Sequence, residues 1–179
     1  MFGKIFDSMT GRKTLLDDAR GDAMMMLNSD RRMFELVMLA LKDEASPQIR
    51  NRIMSMDKDI NRQQRDVRKK VFEHLTLSRG HDLRHGLELT IAVIDLERIG
   101  DYNKNISEIV EMMPRSLDFG EFEEVYGEIV GLAHDMFDDC ITAFSKQNTS
   151  AANAVMEKYQ RVSNLCDGTL ERVMTNSGD

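Results

Sequence analysis

The chain has no tryptophan, only two prolines and only two cysteines among its 179 residues. Each scarcity removes a class of protein. A proline inside a helix costs about 3 kcal/mol, so a chain nearly free of proline can run long helices without a break. Cys140 and Cys166 are too few for a disulfide framework and lack the paired CxxC spacing of a zinc site. They read as reduced thiols packed as small apolar groups. No apolar run approaches the roughly 20 residues needed to span a bilayer, and no hydrophobic signal precedes a cleavage site. The expectation is a soluble, cytoplasmic protein without a transmembrane segment. Clusters of β-branched and aromatic residues are also scarce, whereas Leu, Met, Ala, Glu, Arg and Asp abound, which favours helices over sheets.

Charge is plentiful but uneven. The net value is −7, yet residues 1–79 carry 16 Lys and Arg against 12 Asp and Glu, and residues 80–179 carry 8 against 19. The basic side peaks between Arg50 and Lys70, and the acidic side between Asp118 and Asp139, where no Lys or Arg occurs. An acidic whole argues against general nucleic-acid affinity, while a local basic face suits an anionic partner or membrane surface. Arg62, Arg65 and Lys69 are the candidate partner-binding residues on that face.

Apolar spacing predicts five main helices in an antiparallel bundle. A short amphipathic leader, residues 1–13, places Phe2, Ile5, Phe6 and Met9 at helical spacing beside Lys4, Arg12 and Lys13. A first helix follows from Thr14 to about Lys42, with a break expected near Asn28, Ser29 and Asp30. Ser46 and Pro47 read as an N-cap and first helical residue, opening a second helix to Leu77. Gly80 suits a left-handed cap at its end, and Asp82 the cap of a third helix, stopped at Pro114. Leu83, Leu87, Ile91, Ile94 and Ile106 are the expected core positions of that helix. A fourth helix spans about 118–146, and a fifth about 150–175, capped by Thr149 or Ser150. Helices near 30 residues joined by short loops lie antiparallel to their neighbours.

Shifting the sequence by 103 residues aligns Met33 with Met136, Ala40 with Ala143, Ile53 with Met156, Val67 with Leu170 and Val71 with Met174. The first two helices are thus echoed by the last two. The expected organisation is leader 1–13, a three-helix repeat over 14–113, and an incomplete repeat of two helices over 118–176 packed with the first as one domain. A two-helix unit leaves an apolar stripe that the leader, the other repeat or a second subunit must cover.

The third helix holds the chemistry. Glu97 and Asp101 lie four residues apart and project from one face, with Gly100 between them. Like charges at that spacing are unfavourable, and glycine there costs about 1 kcal/mol relative to alanine. Paired carboxylates can hold a hard or borderline cation if a neighbouring helix adds oxygen ligands. On the second helix Asp57 and Asn61 are also four apart, and antiparallel packing about residues 78–81 sets both pairs at one height. The bland reading is a solvated acidic face offset by Arg98 and Lys104. Elsewhere there is no Glu-x-x-His for a di-iron bundle and no glycine-rich phosphate loop. His134 beside Asp135 reads as a surface histidine, and the fourteen Met as core filler.

Leu96-Glu97-Arg98-Ile99-Gly100-Asp101 with Asn105-Ile106, the upstream Asp82-Leu83-Arg84, and Asp57 with Ile60-Asn61 resemble the signature of the PhoU family. The similarity covers about residues 19–176, with its specificity in 57–61 and 82–106. It implies an all-α PhoU-like bundle and a non-enzymatic regulator of phosphate transport and its signalling. Such a protein binds a membrane transporter or sensor kinase at the inner face of the membrane. The uncovered stripe of the incomplete second repeat separately points to a homo-oligomer, a dimer assembled through that repeat. Family members hold metal clusters through paired E/D-xxx-D motifs. The resemblance therefore points to a metal (iron, Mg, Mn or Zn) at Asp57, Asn61, Glu97 and Asp101. Three departures stand against it: the second repeat lacks its ERIGD-bearing helix, Gln160 replaces the equivalent of Asp57, and Asn61 and Asn103 depart from the usual pattern. A metal-storage or metal-sensing protein and a purely structural helical oligomer are the alternative readings.

Overall fold

The computed structural model describes residues 14–42, 46–113 and 117–176, so the leader 1–13 and the stop at Pro114 lie outside the described residues. The architecture is all-helical: α1 Leu15–Lys42, α2 Pro47–Leu77, α3 Leu83–Met112, a single 3-10 turn Gly120–Phe122, α4 Glu123–Lys146 and α5 Thr149–Asn176.

Local chemistry sets the ends. Thr14 and Asp17 cap α1 reciprocally: Thr14 N–H donates to Asp17 Oδ2 at 3.0 Å and Asp17 N–H to Thr14 Oγ1 at 3.1 Å. Ser46 Oγ accepts from Ile49 N–H at 3.2 Å, with Pro47 in the first turn of α2, as its sequence predicts. Gly80 closes α2 at φ +79° and donates to Leu75 O at 2.9 Å. Three expectations fail here. Asp82 makes no capping bond, because it sits in the left-handed region at φ 66°, and its carboxylate turns to His74 Nε2 at 3.4 Å. At the turn between α4 and α5 the cap of α5 is Asn148, whose Oδ1 accepts from Ala151 N–H at 3.1 Å. α1 runs through Asn28, Ser29 and Asp30 without a break.

Helices α1, α2 and α3 pack all against all as a three-helix bundle. Its core comes from Met26, Met33 and Val37 of α1, Ile53, Ile60 and Val67 of α2, and Leu89 and Val93 of α3. Alanine at 19 and 23 is buried in this bundle, and the buried glycines at 86 and 100 lie close against side chains of the neighbouring helices. A smaller cluster of Ala40, Leu41 and Val110 closes the other end. The core face of α3 is mostly not the expected one: Leu83, Leu87, Ile91 and Ile94 are exposed, Ile106 alone of the five packs against the core, and Gly86, Leu89, Val93, Gly100, Asn103, Ser107 and Val110 are buried.

Helices α4 and α5 form a hairpin that joins the bundle through α4 against α1. Phe34 meets His134 edge-on with ring centroids 5.1 Å apart and Phe137 at 5.6 Å. Arg31 pairs with Asp138 at 2.9 Å, and Lys42 with Glu123 at 3.6 Å. His134 is therefore an aromatic partner at this joint rather than a surface histidine. Among the described residues of the hairpin only Ala151 is buried.

Candidate functional site

Helix periodicity and antiparallel packing bring Asp57 and Asn61 of α2 to the level of Glu97 and Asp101 of α3. Asp57 is buried, and Asn61, Glu97 and Asp101 are half-buried. Asn61 Nδ2 donates to the Asp57 carbonyl at 3.1 Å and reaches its Oδ1 at 3.5 Å. Burial raises the Asp57 carboxyl above its ordinary range; Lys104 opposes the rise, and Asp101 and Glu108 add to it. Glu97 is also raised, by burial first and then by Asp101 and Asp57. The carboxylates of the two helices thus share one electrostatic field, as their spacing implies.

Shared field is not shared coordination. The donors, carboxylate and amide oxygens, are of the kind that oxygen-seeking cations prefer. Their placement is not: among the described residues no group of three or more His, Cys, Asp or Glu is arranged to hold a metal ion. As placed, the site fits a metal in donor chemistry but not in convergence, and Lys104 supplies a cation within the same field.

Gly100 explains the close approach of α3, though not to a metal. A Cβ at that position would meet Asp30 Oδ1 at 3.2 Å and Ile60 Cδ1 at 3.2 Å. Asp30 is a residue that sequence reasoning missed. It lies inside the bundle with neither carboxyl oxygen hydrogen-bonded, and burial pushes its pKa up from 3.8 to about 8. Its backbone carbonyl accepts from Asn103 Nδ2 at 3.4 Å. The signal was available: Asp30 occupies a core position in the series Ala23, Met26, Met33, Val37, where a polar residue marks either a break or a buried group.

The candidate partner residues lie on the outer face of α2. Arg62, Arg65 and Lys69 are exposed. Arg62 is engaged by Asp59 at 2.8 Å, and Lys69 lies 3.9 Å from Glu73. An open cleft of about 640 Å³ at the start of α1, lined by Arg20, Met24, Phe144, Lys146 and Gln147, is separate from these features. Arg20 is ten residues from Asp30 along α1, which is about 15 Å.

Compared with known proteins, residues 24–110 match the family model of the PhoU domain. The matched stretch begins within α1 and ends within α3, so it coincides with the three-helix bundle and leaves the α4–α5 hairpin outside. No curated protein matches, and no solved structure matches.

Proposed function

We propose that this chain, which belongs to the PhoU family through its first three helices, is a regulator or accessory protein of phosphate transport and the signalling attached to it. The observation that carries this reading is the coincidence of the matched domain with the α1–α3 bundle. The protein works without catalysis, in the cytoplasm or at the inner face of the membrane, by binding a transporter or sensor kinase. No helix among the described residues is long and apolar enough to cross a membrane itself. The contact runs through the basic outer face of α2, where Arg62, Arg65 and Lys69 meet an acidic surface, so binding weakens with salt. The protein acts as a homodimer assembled through the α4–α5 hairpin.

A divalent cation at Asp57, Asn61, Glu97 and Asp101 is a separate proposal. It rests on the donor chemistry and on the repulsion that a cation would relieve, and no step of the regulatory reading depends on it. No observation favours metal storage over regulation.

The test is capture of the tagged chain from cells shifted between high and low phosphate, paired with phosphate uptake in cells lacking it. A phosphate transporter or its sensor kinase is expected in the capture, lost when Arg62, Arg65 and Lys69 are reversed to Glu. Unchanged uptake and signalling without the chain would overturn the reading.

A further inference from the structure

The helix faces that carry the candidate site continue beyond it. On α2, Asp57 and Asn61 begin a stripe that runs on, at steps of four and three, through Arg65, Arg68 and Phe72 toward the α2–α3 turn. On α3 the stripe of Asp101 and Glu97 runs back through Ile94, Leu87 and Leu83 to the same turn. Gly86 sits against Val71 and Leu75, and Gly100 against Ile60, so the two stripes lie side by side. One face of the α2–α3 pair is therefore acidic at the candidate site and apolar and basic at the turn.

The apolar part is uncovered. Phe72 is 71% exposed, Leu77 77%, and Leu83 and Leu87 52% each. All four flank the turn, on the last residues of α2 and the first of α3. They project from a convex end of the bundle and line no groove.

The charges around them are mostly positive. Residues 62–85 hold seven Lys and Arg against three Asp and Glu. Arg65, Arg68 and Arg79 are exposed and take part in no ion pair among the described residues. The nearby carboxylates are engaged: Glu73 lies 3.9 Å from Lys69, Asp82 3.4 Å from His74, and Glu88 2.8 Å from Arg84. Asp66 lies off the stripe by its helical spacing. At the start of α1, Asp17 is bonded to Thr14 and Asp22 to Lys70. The end of the hairpin beside them adds no negative charge, since residues 140–156 contain Lys146 and no Asp or Glu. The shared cleft of Arg20, Phe144 and Lys146 places it at this end. The acidic run from Asp118 to Glu128 stands at the other end, where Glu123 pairs with Lys42, about 33 Å from Arg20 along α1.

We propose that the α2–α3 turn, with Phe72, Leu77, Leu83 and Leu87 ringed by Arg65, Arg68 and Arg79, docks on an anionic lipid bilayer. The apolar side chains enter the boundary of headgroups and acyl chains, about 5–10 Å deep, and the arginines meet the lipid phosphates. A convex apolar cluster inside a ring of unpaired cations needs an apolar layer beneath an anionic one, which is the layering of a bilayer. The acidic far end is repelled by the same surface, so the membrane field orients the molecule as well as attracting it. The candidate site then stands above the surface, since Asp101 is about 27 Å along α3 from Leu83. The inference rests on the inner-face reading above and deepens it, because lipid itself becomes a partner.

Co-sedimentation of the purified full-length chain with vesicles tests it. Phosphatidylcholine vesicles with about one third phosphatidylglycerol should bind the chain about tenfold more tightly than phosphatidylcholine alone, and raised salt should weaken the binding. Leu77→Ser with Leu83→Ser, and separately Arg68→Glu with Arg79→Glu, should each weaken it by about tenfold. All four positions are exposed, and circular dichroism melts should match wild type. No binding to the anionic vesicles overturns the inference. So does binding that survives the serine variant, which would be charge attraction alone. If vesicles are not bound, yet cells yield a transporter or kinase with wild type and not with the serine variant, the turn meets protein; the inference then fails and the proposed function stands. If vesicles are bound as expected and no phosphate-transport partner is captured, the proposed function fails and the inference stands.

Discussion

Replacing Asp30 probes the bundle most directly, because its carboxyl has no compensating partner. Both oxygens are buried without hydrogen bonds, and the pKa rises from 3.8 to about 8 through burial alone. The sign of the consequence follows from linkage. Below pH 3.8 the folded and unfolded chains both hold the proton, and Asp30 costs no stability through ionisation. Between that pH and about 8 the unfolded chain releases a proton that the folded chain keeps. Stability therefore falls by about 1.4 kcal/mol per pH unit across this window, reaching a loss of about 4 kcal/mol at pH 7. Above about pH 8 the loss stops growing. Domains of this kind are stable by about 5–15 kcal/mol, so this one carboxyl consumes a large part of the margin. Asp30→Asn keeps the shape and removes the ionisation, while leaving a buried polar group without full satisfaction. The variant should equal wild type near pH 4 and exceed it by about 3–4 kcal/mol at pH 7. Urea denaturation followed by circular dichroism measures this as a pH slope that is present in wild type and absent in the variant. Parallel curves for the two proteins would show that the carboxyl has a partner or solvent in solution, and would refute the burial argument.

A methyl added to Gly86 would meet Val71 Cγ1 at 3.0 Å and Leu75 Cδ1 at 3.1 Å. Gly86→Ala should therefore destabilise by about 1 kcal/mol, as crowding outweighs the gain in helix propensity; a stabilised variant would show that the α2–α3 seam is loose. Glu97→Ala with Asp101→Ala removes the Asp101 charge that raises both Asp57 and Glu97, and the Glu97 carboxyl that is itself raised by burial, Asp101 and Asp57, so the variant should fold with an undiminished melting temperature. Calorimetric titration with Mn²⁺ should show that any uptake by wild type is lost in it, whereas a large fall in melting temperature would assign the pair a structural role. Phe34→Ala removes the aromatic joint between α1 and α4. It should cost about 1–2 kcal/mol, less than a fully buried Phe because Phe34 is half-buried. Hydrogen exchange should then rise in α4 and α5 while the α1–α3 bundle stays protected, and uniform loss of protection would show that the two parts unfold as one.

The helices were legible wherever one residue has one conformational role. Ser46 with Pro47 marked the start of α2 and Gly80 its end, and both do what their chemistry allows. Asp82 was misread because a carboxylate at that spacing serves equally as a cap or as a partner for His74, and only the three-dimensional course of the loop decides between them. Asp30 was misread as a break because a buried carboxyl without a partner is costly, and a sequence does not show that a helix tolerates the cost. The level pairing of Asp57 with Glu97 and Asp101 followed from the loop position, but whether the oxygens converge depends on side-chain directions that spacing does not fix.

The face of α3 was hidden for a different reason, and it bears on function. Apolar residues recur on two sides of that helix, so periodicity offers two stripes and does not rank them. The larger residues, Leu83, Leu87, Ile91 and Ile94, suggested the core, yet the bundle chose the side carrying Gly86 and Gly100. Three helices that meet closely need small residues at the contact, since added methyl groups there crowd Val71, Leu75 and Ile60. Size was therefore the wrong criterion, and smallness at the seam the right one. With the inner face assigned to glycine, the bulky stripe is left exposed among the described residues. A helix that keeps an unneeded row of Leu and Ile in water exposes itself to nonspecific association. The ambiguity that hid the core of α3 is thus the same property that leaves Leu83, Leu87, Ile91 and Ile94 on its surface.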